Sequence, residues 1–109
     1  MDTKDLIEVL QALGAVSNQG KTGYERYAGK NVFIRTVTYH YTGRVIEVTA
    51  ASITLVDAAW IADDGRFNEA MQSGEFSEVE PYPVGREVTI NLGSLIDITT
   101  ISKLPHDVK

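Results

Sequence analysis

A chain of 109 residues, 43% hydrophobic and 23% charged, has the size and composition of one globular domain with a single core. The absence of cysteine excludes disulfides, thiolate metal ligands and a cysteine nucleophile, and fits a reducing, cytoplasmic compartment. A net charge of −5 argues against a protein that grips nucleic acid by bulk attraction, and no apolar run approaches the ~20 residues of a membrane span.

The charge is unevenly spread. Across 20–44, Lys21, Arg26, Lys30, Arg35 and Arg44 stand against Glu25 alone, a net of +4, whereas across 57–80 seven acids stand against Arg66, a net of −6. Solvated surface is the simpler account of both runs. The sharper one is a molecule with a basic and an acidic pole, suited to head-to-tail self-association.

Residues 2–14 read as an N-terminal α-helix. Leu6, Val9, Leu10 and Leu13 recur at helical spacing with Ile7 beside them, Asp2 or Thr3 can cap the start, and Gly14 is a good stop. Two acids in the first five residues and an amphipathic pattern argue against a signal peptide. Lys4 is the one basic residue in the helix, so core packing is favoured over a membrane-surface role. The following loop, 15–29, contains Gly20-Lys21-Thr22, which echoes a phosphate-binding loop. The pattern fails, because Ala15 stands where glycine is required and a helix precedes it instead of a strand. Tyr24 and Tyr27, with Arg26 and Lys30, read as a hydrophobic lid ahead of a stacking surface.

Residues 30–62 hold three strands, Lys30–Tyr39, Tyr41–Thr49 and Ser52–Ala62, dense in β-branched and aromatic residues and joined by short connections. That is the pattern of an antiparallel meander. Gly43 inside a strand pattern predicts a sharp bend or bulge, and a bent meander suggests a small barrel. No Asn-Gly or Asp-Gly pair marks the first turn. Tyr39 and Tyr41 would share one face with His40 on the other. Beside Arg35 and Arg44 they form a candidate base-stacking and phosphate-contact cluster, although cross-strand packing is the commoner use of strand aromatics. With His40 and His106 the only histidines, and far apart in the chain, no metal site is expected.

Residues 63–85 read as an acidic insertion. Asp63-Asp64-Gly65 is a turn signal, and Asp57, Asp63 and Asp64 lack the spacing of a calcium loop. Phe67–Ser73 predicts a short helix ended by Gly74, and Pro81 and Pro83 argue against regular structure in Glu75–Gly85. Excursions of this length are often functional. Residues 86–101 supply strands four and five, Arg86–Leu92 and Leu95–Ile101, hinged at Gly93-Ser94. Val88, Ile90 and Leu92 face one way in the first, and Ile96 and Ile98 alternate with Asp97 and Thr99 in the second. Residues 102–109 are a tail.

A helix followed by five strongly bent strands resembles the Sm/LSm-like small-barrel family. Gly43-Arg44-Val45-Ile46-Glu47-Val48, the turn Thr49-Ala50-Ala51-Ser52 and Ile53-Thr54-Leu55-Val56-Asp57 lie along the family's first motif. Ile90-Asn91-Leu92-Gly93-Ser94-Leu95-Ile96 fits the second, an apolar residue, a glycine, two variable residues and an apolar residue. The resemblance covers about 2–14 and 30–101, interrupted by the insertion. RNA-binding members carry an Asn and a stacking residue in the turn between strands two and three, and an Arg before the second-motif glycine. Here that turn offers only small residues and the Arg position is Leu92, so a uridine pocket does not carry over. The stretches Ala59–Phe67 and Glu78–Pro81 are also similar to small phage- or metagenome-type proteins.

The fold expected is therefore mainly β with an N-terminal α-helix, a strongly bent five-stranded antiparallel Sm-like barrel in one domain, 1–109. The resemblance implies a homo-oligomer, a ring among the options, joined through strands four and five. Single-stranded RNA is the expected partner, with Arg35, Tyr39, His40, Tyr41 and Arg44 as candidate contacts. The alternative is a non-enzymatic assembly or interaction module without a nucleic-acid role. No catalytic set, cofactor, metal site or membrane partner is expected.

Overall fold

A computed structural model describes Thr3, Lys4 and residues 22–109. Apart from Thr3 and Lys4, the predicted helix at 2–14 lies outside the described residues, as do 15–21 of the following loop.

The protein is mainly β and antiparallel. The strands are β1 (Asn31–Thr36), β2 (His40–Val48), β3 (Ser52–Asp63), β4 (Glu78–Pro81), β5 (Val88–Asn91) and β6 (Leu95–Thr100), with helix α1 (Phe67–Ser73) between β3 and β4. Five strands were expected in the sequence and six are present among the described residues. They form one sheet in the order β4-β3-β2-β1-β6, with β5 on β3, and the sheet is not closed into a barrel.

Both tight turns of the meander use a threonine where glycine pairs are absent. Thr36 Oγ1 donates to the Tyr39 carbonyl at 2.6 Å and accepts from the Tyr39 N–H at 2.9 Å, so β1 ends at Thr36 instead of running to Tyr39. Thr49 Oγ1 accepts from the N–H groups of Ala51 and Ser52 at 3.2 and 3.0 Å.

The expected bend at Gly43 is present. The β2–β3 register shifts between Thr42 and Arg44, passing from Thr42 opposite Ala59 to Arg44 opposite Val56. The extra residue on β3 is taken up at Asp57, which has φ 53°, and Arg44 Nη1 donates to Asp57 Oδ2 at 2.8 Å. Gly43 is needed here because a Cβ would stand 2.8 Å from Leu55 Cβ.

Each face of the sheet carries its own core. On the inside of the curl, Val32, Ile34, Val45, Ile53, Leu55, Ala58 and Ile90 are buried together. Tyr27 packs against this cluster, in keeping with the lid reading. On the opposite face Phe33, Ala59 and Ile61 pack with Ala70 of α1, Phe76, Val79, Ile101 and Leu104. Phe33 stacks on Phe76 with ring centroids 5.5 Å apart.

The second core comes from segments read as loop and tail. Within the insertion, the Phe67–Ser73 helix ended by Gly74 is as expected. The irregular Glu75–Gly85 is not: Glu78–Pro81 pairs with β3, and Pro81 is tolerated at the strand's last position. The 102–109 tail is fixed as well. Val79 and Lys109 exchange backbone hydrogen bonds at 2.9 and 3.0 Å, and Lys103 and Lys109 donate to Glu75. In β6, Ile98 faces the inner core as expected, but Ile96 is 62% exposed, because the β1–β6 register slips between Arg35 and Thr36.

The Gly43 contact gives a direct test. Gly43→Ala is expected to lower unfolding free energy by about 1–3 kcal/mol, the usual range for overpacking, seen as a lower urea midpoint at unchanged denaturant slope. Equal stability would contradict the close approach to Leu55.

Candidate functional site

The register sorts side chains into two adjacent rows on opposite faces. One runs Ile34, Tyr41, Trp60 and Glu80 across β1 to β4 on the inner face. The next runs Arg35, His40, Ile61 and Val79 on the outer face, with Asp97 of β6 beyond Arg35.

The inner row ends in an open groove of about 380 Å³, where Tyr39 and Tyr82 join Tyr41, Trp60 and Glu80. Pro81 and Pro83 bracket Tyr82 and also line it. The Tyr39 ring meets Trp60 edge-on, with centroids 5.7 Å apart at 81°, and meets Tyr41 at 6.5 Å and 70°. Tyr41 and Tyr82 pack against the inner core, and the Tyr82 N–H donates to the Ala58 carbonyl at 2.8 Å. Tyr39 and Trp60 remain 50% and 37% exposed. Their position explains this: the side-chain alternation of β3 puts Ala59 and Ile61 into the outer core, leaving Trp60 to cover the inner edge.

The groove is electrically simple. Burial pushes the Tyr41 phenol above its ordinary value, with Tyr82 and Tyr39 adding to the effect, so it is a neutral hydroxyl at physiological pH. Glu80 is the one charged residue in the lining and makes no ion pair among the described residues.

The five candidate RNA contacts divide between the faces. Tyr39 and Tyr41 lie together in the groove. Arg35 and His40 lie on the outer face, and Arg44 is at the bend. Each of these three is bonded to a carboxylate. Arg35 grips Asp97 with two nitrogens, Nε lying 2.8 Å from Oδ1, and its guanidinium sits 5.1 Å from the centre of the Phe67 ring. His40 Nδ1 is 3.0 Å from Asp64 Oδ1, and Arg44 holds Asp57. Two cations of the basic stretch, Arg35 and Arg44, are thus neutralised by acids from β6 and β3, and His40 is bonded to an acid of the insertion.

Trp60, Glu80 and Tyr82 were not among the sequence candidates. Two signals pointed to them: a bulky aromatic alternating out of phase with Ala59 and Ile61, and a tyrosine fixed between two prolines. Neither reveals that β4 folds back beside Trp60, because that pairing closes across the α1 segment between Asp63 and Glu78.

No family model and no curated protein matches this chain. Among the described residues, no three His, Asp or Glu side chains are grouped to hold a metal ion, and no helix is long and apolar enough to cross a membrane.

The Arg35–Asp97 pair makes the outer face sensitive to acid. The hydrogen bonds from Arg35 hold the Asp97 carboxyl below its ordinary value, against a smaller opposing effect of burial. Its stabilisation is therefore fully present above the unfolded aspartate value of about 3.9 and is lost as pH falls through the lower folded value. Asp97→Asn should cost under about 1 kcal/mol at neutral pH, since both partners are over a third exposed. The gap between wild type and variant, followed by urea unfolding against pH, should close in strong acid. A gap that stays constant would contradict the pairing.

Proposed function

We propose that this chain is a non-enzymatic interaction module with a divergent, open form of the Sm-like strand arrangement, working as a homo-oligomer with the aromatic groove as its ligand-facing surface. The observation that carries the reading is the gathering of Tyr39, Tyr41, Trp60 and Tyr82 on one open surface. Meanwhile Arg35, His40 and Arg44, the candidate phosphate contacts, are each bonded to an aspartate outside the groove. Exposed contiguous aromatic surface costs solubility, and its retention is best accounted for by a partner that covers it.

Two features support the Sm-like part. A glycine bends the second strand against the third at Gly43, and Gly93 lies in the short 3-10 turn, Leu92–Ser94, between the last two strands. For the assembly part, β5 pairs only with β3 and β6 only with β1 among the described residues, so each keeps an open edge, and Ile96 is exposed on β6. Open edges are liabilities that pairing between subunits removes, and ring closure satisfies head-to-tail contacts.

Single-stranded RNA is the second reading, favoured by the exposed rings of Tyr39 and Trp60, which offer stacking faces to bases. Trp60 is the sole tryptophan, so its fluorescence reports on the groove. Titration with oligo-U at low and high salt, alongside light scattering at micromolar concentration, separates the readings. The interaction-module reading expects an oligomer and no salt-sensitive quench. A monomer would remove the assembly part, and a saturable quench that weakens steeply with salt would put RNA in its place.

A further inference from the structure

We propose that the aromatic groove takes a weakly hydrated organic cation, an arginine guanidinium or a methylated lysine ammonium, on a side chain of a partner polypeptide. This rests on the groove being the interaction surface. Aromatic faces carry negative quadrupole potential and attract cations, with Trp the strongest and Tyr next. Tyr39 stands nearly perpendicular to both Trp60 and Tyr41, so the rings turn their faces in different directions around one space. A base-stacking platform would hold them parallel. Glu80 adds the complementary charge, in register with Trp60 across β3 and β4, and among the described residues no basic side chain lines the groove to compete with an incoming cation.

The same charge disfavours other ligands. Phosphates would meet Glu80. An unmodified lysine ammonium is more strongly hydrated and loses more on entering an aromatic site than a guanidinium or methylated ammonium does. A free small cation would be poorly held, because the groove is open and half of Tyr39 stays exposed, whereas small-ligand sites enclose most of their ligand. A side chain tethered to a polypeptide needs no such enclosure. Pro81 and Pro83 hold Tyr82 in a stiff segment, which reduces the ordering cost on binding.

Trp60 fluorescence tests this with short acetylated peptide amides carrying one arginine or one trimethyl-lysine as cations, and the same peptide amides carrying citrulline or norleucine at that position as neutral counterparts. At least one cation should quench saturably and bind roughly tenfold more tightly than its neutral counterpart. Glu80→Gln should weaken that binding roughly fivefold with thermal unfolding unchanged, because Glu80 is exposed and makes no ion pair among the described residues. Equal binding of neutral and cationic probes would overturn the inference, as would an unaffected Glu80→Gln or silence toward all four. Choline binding more tightly than either amide would also overturn it, by reassigning the groove to a free cation. Quenching by a proline-rich peptide without cations, where both cations fail, would overturn the ligand class while leaving the groove as an interaction surface. Salt-sensitive quenching by oligo-U would overturn both.

Discussion

The bend at Gly43 and Asp57 is the constraint on which the rest of the sheet depends. β3 is twelve residues long and serves different neighbours along its length. Ser52–Leu55 pairs with β5, and Ala59–Asp63 pairs with β4. Val56–Ala58 is the crease between them, with Asp57 in the left-handed region, a conformation a short polar side chain tolerates better than most. Arg44 fixes the crease from β2, and Gly43 leaves the space that Leu55 fills. A straight β3 would extend one flat ladder. A creased one turns its second half away and gives β4 an edge to join.

The crease divides the labour between the two faces. The inner face before the crease is a closed apolar core, while beyond it the same face opens into the groove of Tyr41, Trp60 and Glu80. The outer face beyond the crease is covered by α1, Phe76 and the C-terminal segment, which dock on Phe33, Ala59 and Ile61. That cover draws Phe67, Asp64 and Glu75 to the outer side, where they meet Arg35, His40 and the C-terminal lysines. The groove is thus left aromatic and weakly acidic, and its rigidity comes from a core on the far side of the same strands.

Much of this could be read from residue patterns because it is local. The meander, the Gly43 bend, the Phe67–Ser73 helix and its Gly74 stop follow from β-branched runs, a glycine out of place and a short amphipathic stretch. The position of β4 could not be read. Its four residues are too few for alternation to stand out, Pro81 and the nearby Pro83 argue against a strand, and its partner lies on the far side of α1 in the chain. The tail was illegible for the same reason, since Leu104 acquires meaning only once Phe33 and Phe76 form a surface to bury it. Of the candidate contacts, the two tyrosines belonged together because alternation fixed their common face. Arg35, His40 and Arg44 separated from them because their bonds to Asp97, Asp64 and Asp57 depend on tertiary neighbours that spacing does not encode.

The central claim is that Trp60 belongs with the tyrosines on one face and Phe33 with Phe76 on the other. Proton NOEs among assigned aromatic rings in solution test this most directly. Cross-peaks from the Trp60 indole to the Tyr39 ring, together with Phe33–Phe76 cross-peaks and none between the two sets, are the predicted result. Cross-peaks joining Trp60 to Phe33 or Phe76 would place the indole in the outer core and contradict the groove.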